Sequence, residues 1–223
     1  MDLRESAELP KPPTDLEGRR ITVIKIEETL FRTHGITRNP ESVGHPGLNR
    51  FDAPDGSYKV LYLGRDAYCA FIETFAHSAG TKIVTTAALK NKALSELKPV
   101  RPLLLIDLTA SGPLVRIGAD ARLFSAGYDI SQLWSKAFHD HSVGAHGMLY
   151  PSRLDPQKHA IAIFRDRAPK LLELNRQSWY APGKQRLLLA EIAEHYGIEL
   201  IETRIVASRK PPASMRQESF LDD

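Results

Sequence analysis

The run Leu103-Leu104-Leu105-Ile106-Asp107-Leu108 offers almost no polar side chain to solvent. A strand with one wet face alternates apolar and polar residues, and this run does not, so it suits a strand covered on both faces. Val60-Leu61-Tyr62-Leu63, closed by Gly64, reads as a second short buried strand, and Ala160-Ile161-Ala162-Ile163-Phe164 as another. A sheet built from such strands needs packing partners on each side. The runs are spaced too irregularly for βαβ repeats, so the expected class is α+β, a mixed β core with flanking helices. The 223 residues are enough for one domain with a sizeable core and short appendages.

The rest of the chain is read around those strands. Residues 1–20, charged and rich in proline, are expected to form a flexible arm. Ile21–Glu28 reads as a first strand that delivers Leu30, Phe31 and Arg32. Thr33 to Gly47 reads as a loop. Asp66 is placed to cap a helix reaching about Ser78, with Gly80 as its stop. Residues 83–97 suggest a strand edge and a short helix. Asp129 with Gln132 has the pattern of a capping box. Ile130, Leu133, Trp134, Ala137 and Phe138 then recur at helical spacing. Residues 171–206 are expected to form a C-terminal extension, with a helix over 183–196 and a strand within Ile198–Val206. Residues 207–223 read as a disordered tail.

Composition limits the function classes. The net charge is only +3 and basic residues are dispersed, which argues against a nucleic-acid-binding module. The single cysteine, Cys69, excludes a disulfide within the chain and fits a reducing compartment. No apolar run is long enough to span a bilayer, and the N-terminus lacks a secretory apolar segment, so the expected location is the cytoplasm. His139, His141 and His146 lack the partners of a recognised metal motif, and metal binding is not expected. Cys69 reads as a small buried residue. No Rossmann or P-loop glycine pattern is present.

Several chemically capable residues lie in or beside apolar runs. Arg32 and Arg50 flank one loop, where two guanidinium forks would suit a pyrophosphate; two surface ion pairs are the alternative. Glu73 lies one helical turn beyond Ala70, where a carboxylate in a cleft can stabilise a developing cation; an exposed helical charge is the alternative. Tyr62 suits stacking on a flat ring or a place in the core. Ser152, following Pro151, suits a hydrogen bond to phosphate or ribose, or a turn.

Taken in order, Phe31-Arg32, Asn49-Arg50-Phe51-Asp52, Val60–Leu63 with Ala70–Glu73, Asp107-Leu108-Thr109, Tyr128–Trp134 and Gly147–Arg153 resemble the RES domain over roughly residues 25–170. The resemblance makes residues 21–170 the RES domain and implies an ADP-ribosyltransferase-like fold. It implies an enzyme that consumes NAD by breaking the nicotinamide–ribose bond, with inorganic phosphate or water as acceptor and no cofactor. On that template Arg50, Glu73 and Ser152 are catalytic, while Arg32 and Tyr62 bind substrate. It further implies a bacterial toxin neutralised by an Xre-like helical antitoxin. Transfer of ADP-ribose to a macromolecule and a non-catalytic interaction protein stay open, as does a homodimer.

Overall fold

A computed structural model describes residues 9–44, 47–76, 80 and 82–202. The elements run β1 (Val23–Ile26), β2 (Leu30–Gly35), β3 (Val60–Gly64), α1 (Ala67–Phe75), β4 (Ile83–Thr85) and α2 (Thr86–Lys90). They continue as β5 (Lys92–Pro99), β6 (Leu103–Asp107), α3 (Pro113–Ile117), α4 (Tyr128–Asp140), β7 (Gly147–Pro151) and β8 (His159–Phe164). The chain closes with β9 (Leu171–Ser178), α5 (Lys184–Tyr196) and β10 (Glu199–Ile201).

Eight strands form one sheet in the order β1-β6-β7-β8-β3-β2-β5-β9. Only β6 and β7 are parallel neighbours; the other pairs are antiparallel. The apolar run from Leu103 becomes β6, between β1 and β7. Leu103 and Leu105 enter a cluster with Leu61, Leu63, Ile161 and Ile163 on one side. Ile106 enters a cluster with Trp134, Phe138 and Phe164 on the other. Both faces are therefore buried, as an unbroken apolar run requires. The class is α+β, as expected.

Some expectations change. Thr33, His34 and Gly35 belong to β2, not to a loop: their polar groups are met across the strand, His34 Nε2 lying 2.7 Å from Ser95 Oγ. The strand edge and short helix expected over 83–97 are β4 and α2, and the chain then adds Lys92–Pro99, a full strand that was not anticipated. The cap at Asp66 forms, its side chain accepting from the Cys69 N–H at 2.7 Å. The helix ends earlier than anticipated, at Phe75 with Ala76 as cap, so Gly80 does not stop it; Ser78 lies outside the described residues.

The capping box of α4 does not form. Gly127 is the N-cap, and Gln132 instead donates to the carbonyls of Gly47 and Asn49, 3.0 and 2.9 Å away. The helix is turned accordingly: Ser131, Trp134, Ser135 and Phe138 are its buried face, with Ile130, Leu133 and Ala137 at the margin. Two buried serines face the loop they hydrogen-bond, which apolar periodicity does not register.

The N-terminal segment is a packed strap from residue 9 onward. Leu9 and Leu16 lie in the core, and the Trp134 indole donates to the Pro10 carbonyl at 2.8 Å. Residues 1–8 lie outside the described set. Beyond residue 170 the chain continues the same sheet, β9 pairing with β5 from Ala93↔Ser178 to Pro99↔Leu171. The helix at α5 follows as expected. The expected last strand is present as β10, parallel to β4; its remainder, and the tail from 207, lie outside the described residues.

Candidate functional site

Strands β2 and β3 meet at one pair, Phe31 opposite Gly64. Past that point no further pair joins them, and a cavity of about 250 Å³ occupies the gap. Its walls come from Phe31–Thr33, from Tyr62–Gly64, from Glu73 and Thr74 on α1, and from Asn49 and Arg50; Tyr128, Tyr150 and Arg153 complete it. Residues far apart in sequence therefore converge because a sheet is left unzipped.

Helix α1 is drawn close to that gap. A Cβ on Gly64 would stand 2.6 Å from the Ala70 backbone nitrogen, so glycine lets the strand touch the helix. Ala70 adds little bulk above the cavity. Thr33 Oγ1 donates to the Ala70 carbonyl at 2.9 Å and accepts from the Trp179 indole at 3.0 Å. Trp179 is fully buried against Phe71. The sheet on one side and the C-terminal segment on the other thus clamp the helix that carries Glu73.

Glu73 is half-buried and lines the cavity. Ser152 Oγ donates to its Oε1 at 2.6 Å. Ser152 Oγ in turn accepts from the backbone N–H groups of Leu154 at 3.1 Å and Asp155 at 3.4 Å. Ser152 is 1% exposed and does not line the cavity. The expected contact of Ser152 with substrate is therefore corrected: the turn after β7 buries the hydroxyl behind Glu73, which it orients.

Arg50 sits on a turn built around a buried carboxylate. Asp52 accepts from the Asn49 backbone N–H at 2.9 Å, from Asn49 Nδ2 at 3.0 Å and from the Tyr62 hydroxyl at 2.9 Å. The Tyr62 hydroxyl also accepts from the Phe51 N–H at 3.0 Å. Tyr62 lines the cavity as expected, but with its ring; its hydroxyl is committed to the turn. Burial, reinforced by Asp52, raises the Tyr62 pKa well above the usual phenol value, so it stays a neutral donor.

Arg50 Nη1 donates to the Ala126 carbonyl at 2.5 Å and to Ser131 Oγ at 3.2 Å. Its guanidinium lies 4.9 Å from the centroid of the Tyr128 ring. Burial lowers its pKa, and the charge on Arg153 lowers it further. Arg32 donates to the Pro40 carbonyl. Burial first, then the charges of Arg165 and Arg38, push its pKa down to about 10, which leaves it cationic at neutral pH. Like charges gathered at one cleft favour an anionic ligand.

All five expected residues thus gather at one place: four on the cavity wall, and Ser152 behind it. Asp52, Tyr128, Tyr150 and Arg153 were not singled out. All four lie within the stretches that resemble the RES domain, but nothing in their local pattern gives a turn-holding carboxylate or a wall residue its role. The histidines are spent structurally: His139 stacks 4.0 Å from Tyr58, and His146 Nδ1 accepts from the Leu104 N–H at 3.0 Å. Among the described residues no group of histidine, cysteine and carboxylate side chains could hold a metal ion. Cys69 is buried, and burial together with Glu73 raises its thiol pKa, so it is no ready nucleophile. No helix among the described residues is long and apolar enough to cross a membrane.

Residues 29–190 match the family model of the RES domain. The chain is 33% identical over 125 residues to a probable toxin, y4kH, of Sinorhizobium fredii, covering 56% of this chain and 94% of that protein. Its fold matches a chain in the crystal structure of the MbcT–MbcA toxin–antitoxin complex of M. tuberculosis with a TM-score of 0.52 and 18% identity. That match covers 75% of this chain and 92% of the other.

Proposed function

The chain belongs to the RES domain family, and from that premise and the cleft we propose that it degrades NAD by breaking the nicotinamide–ribose bond, as the toxin of a bacterial toxin–antitoxin pair. The observation that carries the chemistry is a carboxylate, Glu73, held by Ser152 at 2.6 Å on a cavity wall that also bears Arg32 and Arg50.

The bond to be broken joins ribose C1′ to a positively charged pyridinium nitrogen. When it breaks, both electrons go to nitrogen and nicotinamide leaves as a neutral molecule, so no acid is needed. The ribosyl carbon is left with oxocarbenium character. Glu73 supplies a fixed negative charge beside it, already oriented and already partly desolvated. Arg32 and Arg50 hold phosphate oxygens, which fixes the position of C1′ relative to Glu73. Tyr62 and Tyr128 offer ring faces to the flat base. An oxygen of inorganic phosphate or water then bonds to C1′. With phosphate no proton has to move; with water one leaves the attacking oxygen, and Glu73 is the carboxylate at hand to take it. Phosphorolysis and hydrolysis therefore need the same wall.

The toxin reading is supported by the likeness to the probable toxin of Sinorhizobium fredii and by the toxin–antitoxin complex in which the structural neighbour occurs. An Xre-like helical antitoxin is the partner that reading calls for.

Purified protein incubated with NAD, with and without inorganic phosphate and with products read by mass, tests the proposal. The wild type is expected to consume NAD, and Glu73→Gln to lose at least about a hundredfold in kcat, the scale of losing one electrostatic stabiliser. Products separate phosphorolysis from hydrolysis. ADP-ribose attached to a macromolecule instead would move the reading to a transferase, and equal rates for Glu73→Gln and wild type would remove Glu73 from the chemistry.

A further inference from the structure

A second cavity, also of about 250 Å³, shares Arg32, Asn49 and Tyr62 with the first. It lies where the end of β2 and the start of β3 have parted, below the 35–44 loop, and its wall includes Arg38, Asn39 and Lys92. We propose that this lobe seats the phosphate-bearing, non-reacting half of the dinucleotide, an inference that rests on the NAD reading above.

Size is the first argument. Whole drug-sized ligands occupy pockets of about 300–1,000 Å³. One lobe of about 250 Å³ suits the reacting nicotinamide ribose end, and the second gives the remaining half a place. Charge is the second. The new lobe carries the cations Arg32, Arg38 and Lys92, and no carboxylate stands among its described wall residues. Nearby carboxylates are already engaged. Glu41 pairs with Arg165 at 3.0 Å and accepts from the Leu171 N–H at 2.7 Å. Glu173 pairs with Arg176 at 2.7 Å and accepts from Ser95 Oγ at 2.6 Å. Glu41 thus offsets Arg165 and part of the charge around Arg32, while Arg38 and Lys92 bring two further cations to a wall without a carboxylate of its own. Position is the third: Arg32 belongs to both lobes, so a phosphate held there would sit midway between a base in the first lobe and a nucleoside in the second.

A phosphate group in this lobe has two sources, the dinucleotide or the free acceptor, and kinetics tell them apart. NAD reaches both lobes, whereas nicotinamide mononucleotide is filled out by the first. In Arg38→Ala and Lys92→Ala the ratio of KM for NAD to KM for nicotinamide mononucleotide is expected to rise about tenfold, one charge-assisted contact each. A rise in KM for inorganic phosphate with that ratio unmoved would assign the lobe to the acceptor and overturn the proposal; so would no change in either. Calorimetric titration of adenosine diphosphate into the full chain needs no turnover. Binding that weakens about tenfold in the exposed-site variant Arg38→Glu upholds the lobe even if NAD is not cleaved, and absence of binding to the wild type overturns it.

Discussion

Removing the Ser152 hydroxyl would leave the Glu73 carboxylate in its cleft without the bond, 2.6 Å long, that aims it. Because Ser152 does not reach the cavity, Ser152→Ala is expected to lower kcat for NAD cleavage about ten- to a hundredfold while KM changes little, the mark of an interaction that matters in the transition state. Glu73→Gln alone and Glu73→Gln with Ser152→Ala should then be nearly equal, since the serine acts through the glutamate. Additive losses in that cycle would give Ser152 an independent role at the substrate. At this scale the sequence was informative about charge and silent about orientation. Arg32, Arg50 and Glu73 stand out because charged residues beside apolar runs need a reason. The direction in which Ser152 points depends on a partner 79 positions away, and the inward commitment of the Tyr62 hydroxyl depends on Asp52, which only the folded turn brings to it.

Helix α1 has few resources of its own: nine residues, one cap and no ion pair within it among the described residues. Its position is imposed by neighbours, so damage to a neighbour should reach the chemistry. Trp179 is the clearest case, its ring 5.1 Å from that of Phe71 and its indole bonded to the Thr33 hydroxyl that also holds Ala70. Trp179→Ala is expected to cost about 3–5 kcal/mol, read from denaturant melts, and to reduce NAD cleavage beyond the fraction unfolded. Loss of stability with full activity in the folded fraction would mean that α1 holds its place unaided. Sequence periodicity found α1, α4 and α5 because their apolar faces repeat. It missed β9, the strand that leads to Trp179, because an edge strand with exposed Leu172 and Leu174 has no alternation to read. On α4 it found Trp134 and Phe138, which are buried, and Ile130 and Ala137, which pack at the margin, but not Ser131 and Ser135, which are buried through hydrogen bonds to the site loop and not through apolarity.

Across the whole molecule, the sheet follows from its buried strands, whereas the place where it comes unzipped does not, because pairing register is a relation between strands and not a property of either. Three histidines around that sheet, His34 buried and His146 and His159 partly buried, carry pKa values lowered from 6.5, desolvation being the largest cause in each. At His146 the charges of Arg101 and Arg167 add to it. The sign follows from proton binding: between the lowered folded values and 6.5 the unfolded chain holds more protons, so stability rises with pH across that window. The contribution is complete above the unfolded value and is lost progressively as pH falls from there through the folded values. Carboxylates such as Glu173, held low chiefly by hydrogen bonds from Arg176, act in a separate, more acidic window, at and below the ordinary value of 4.5. His146 is the informative member, because Nδ1 must be unprotonated to accept from the Leu104 N–H that ties the turn before β7 to β6. Melts of the wild type are expected to be nearly level from pH 7.5 to 6.5 and to drop between 6.5 and 5.5. His146→Asn keeps an acceptor that does not titrate in this range, and should flatten part of that drop. An unfolding midpoint that climbs on acidification through the same window would mean these rings gain a proton on folding instead of shedding one, and would reverse the assignment.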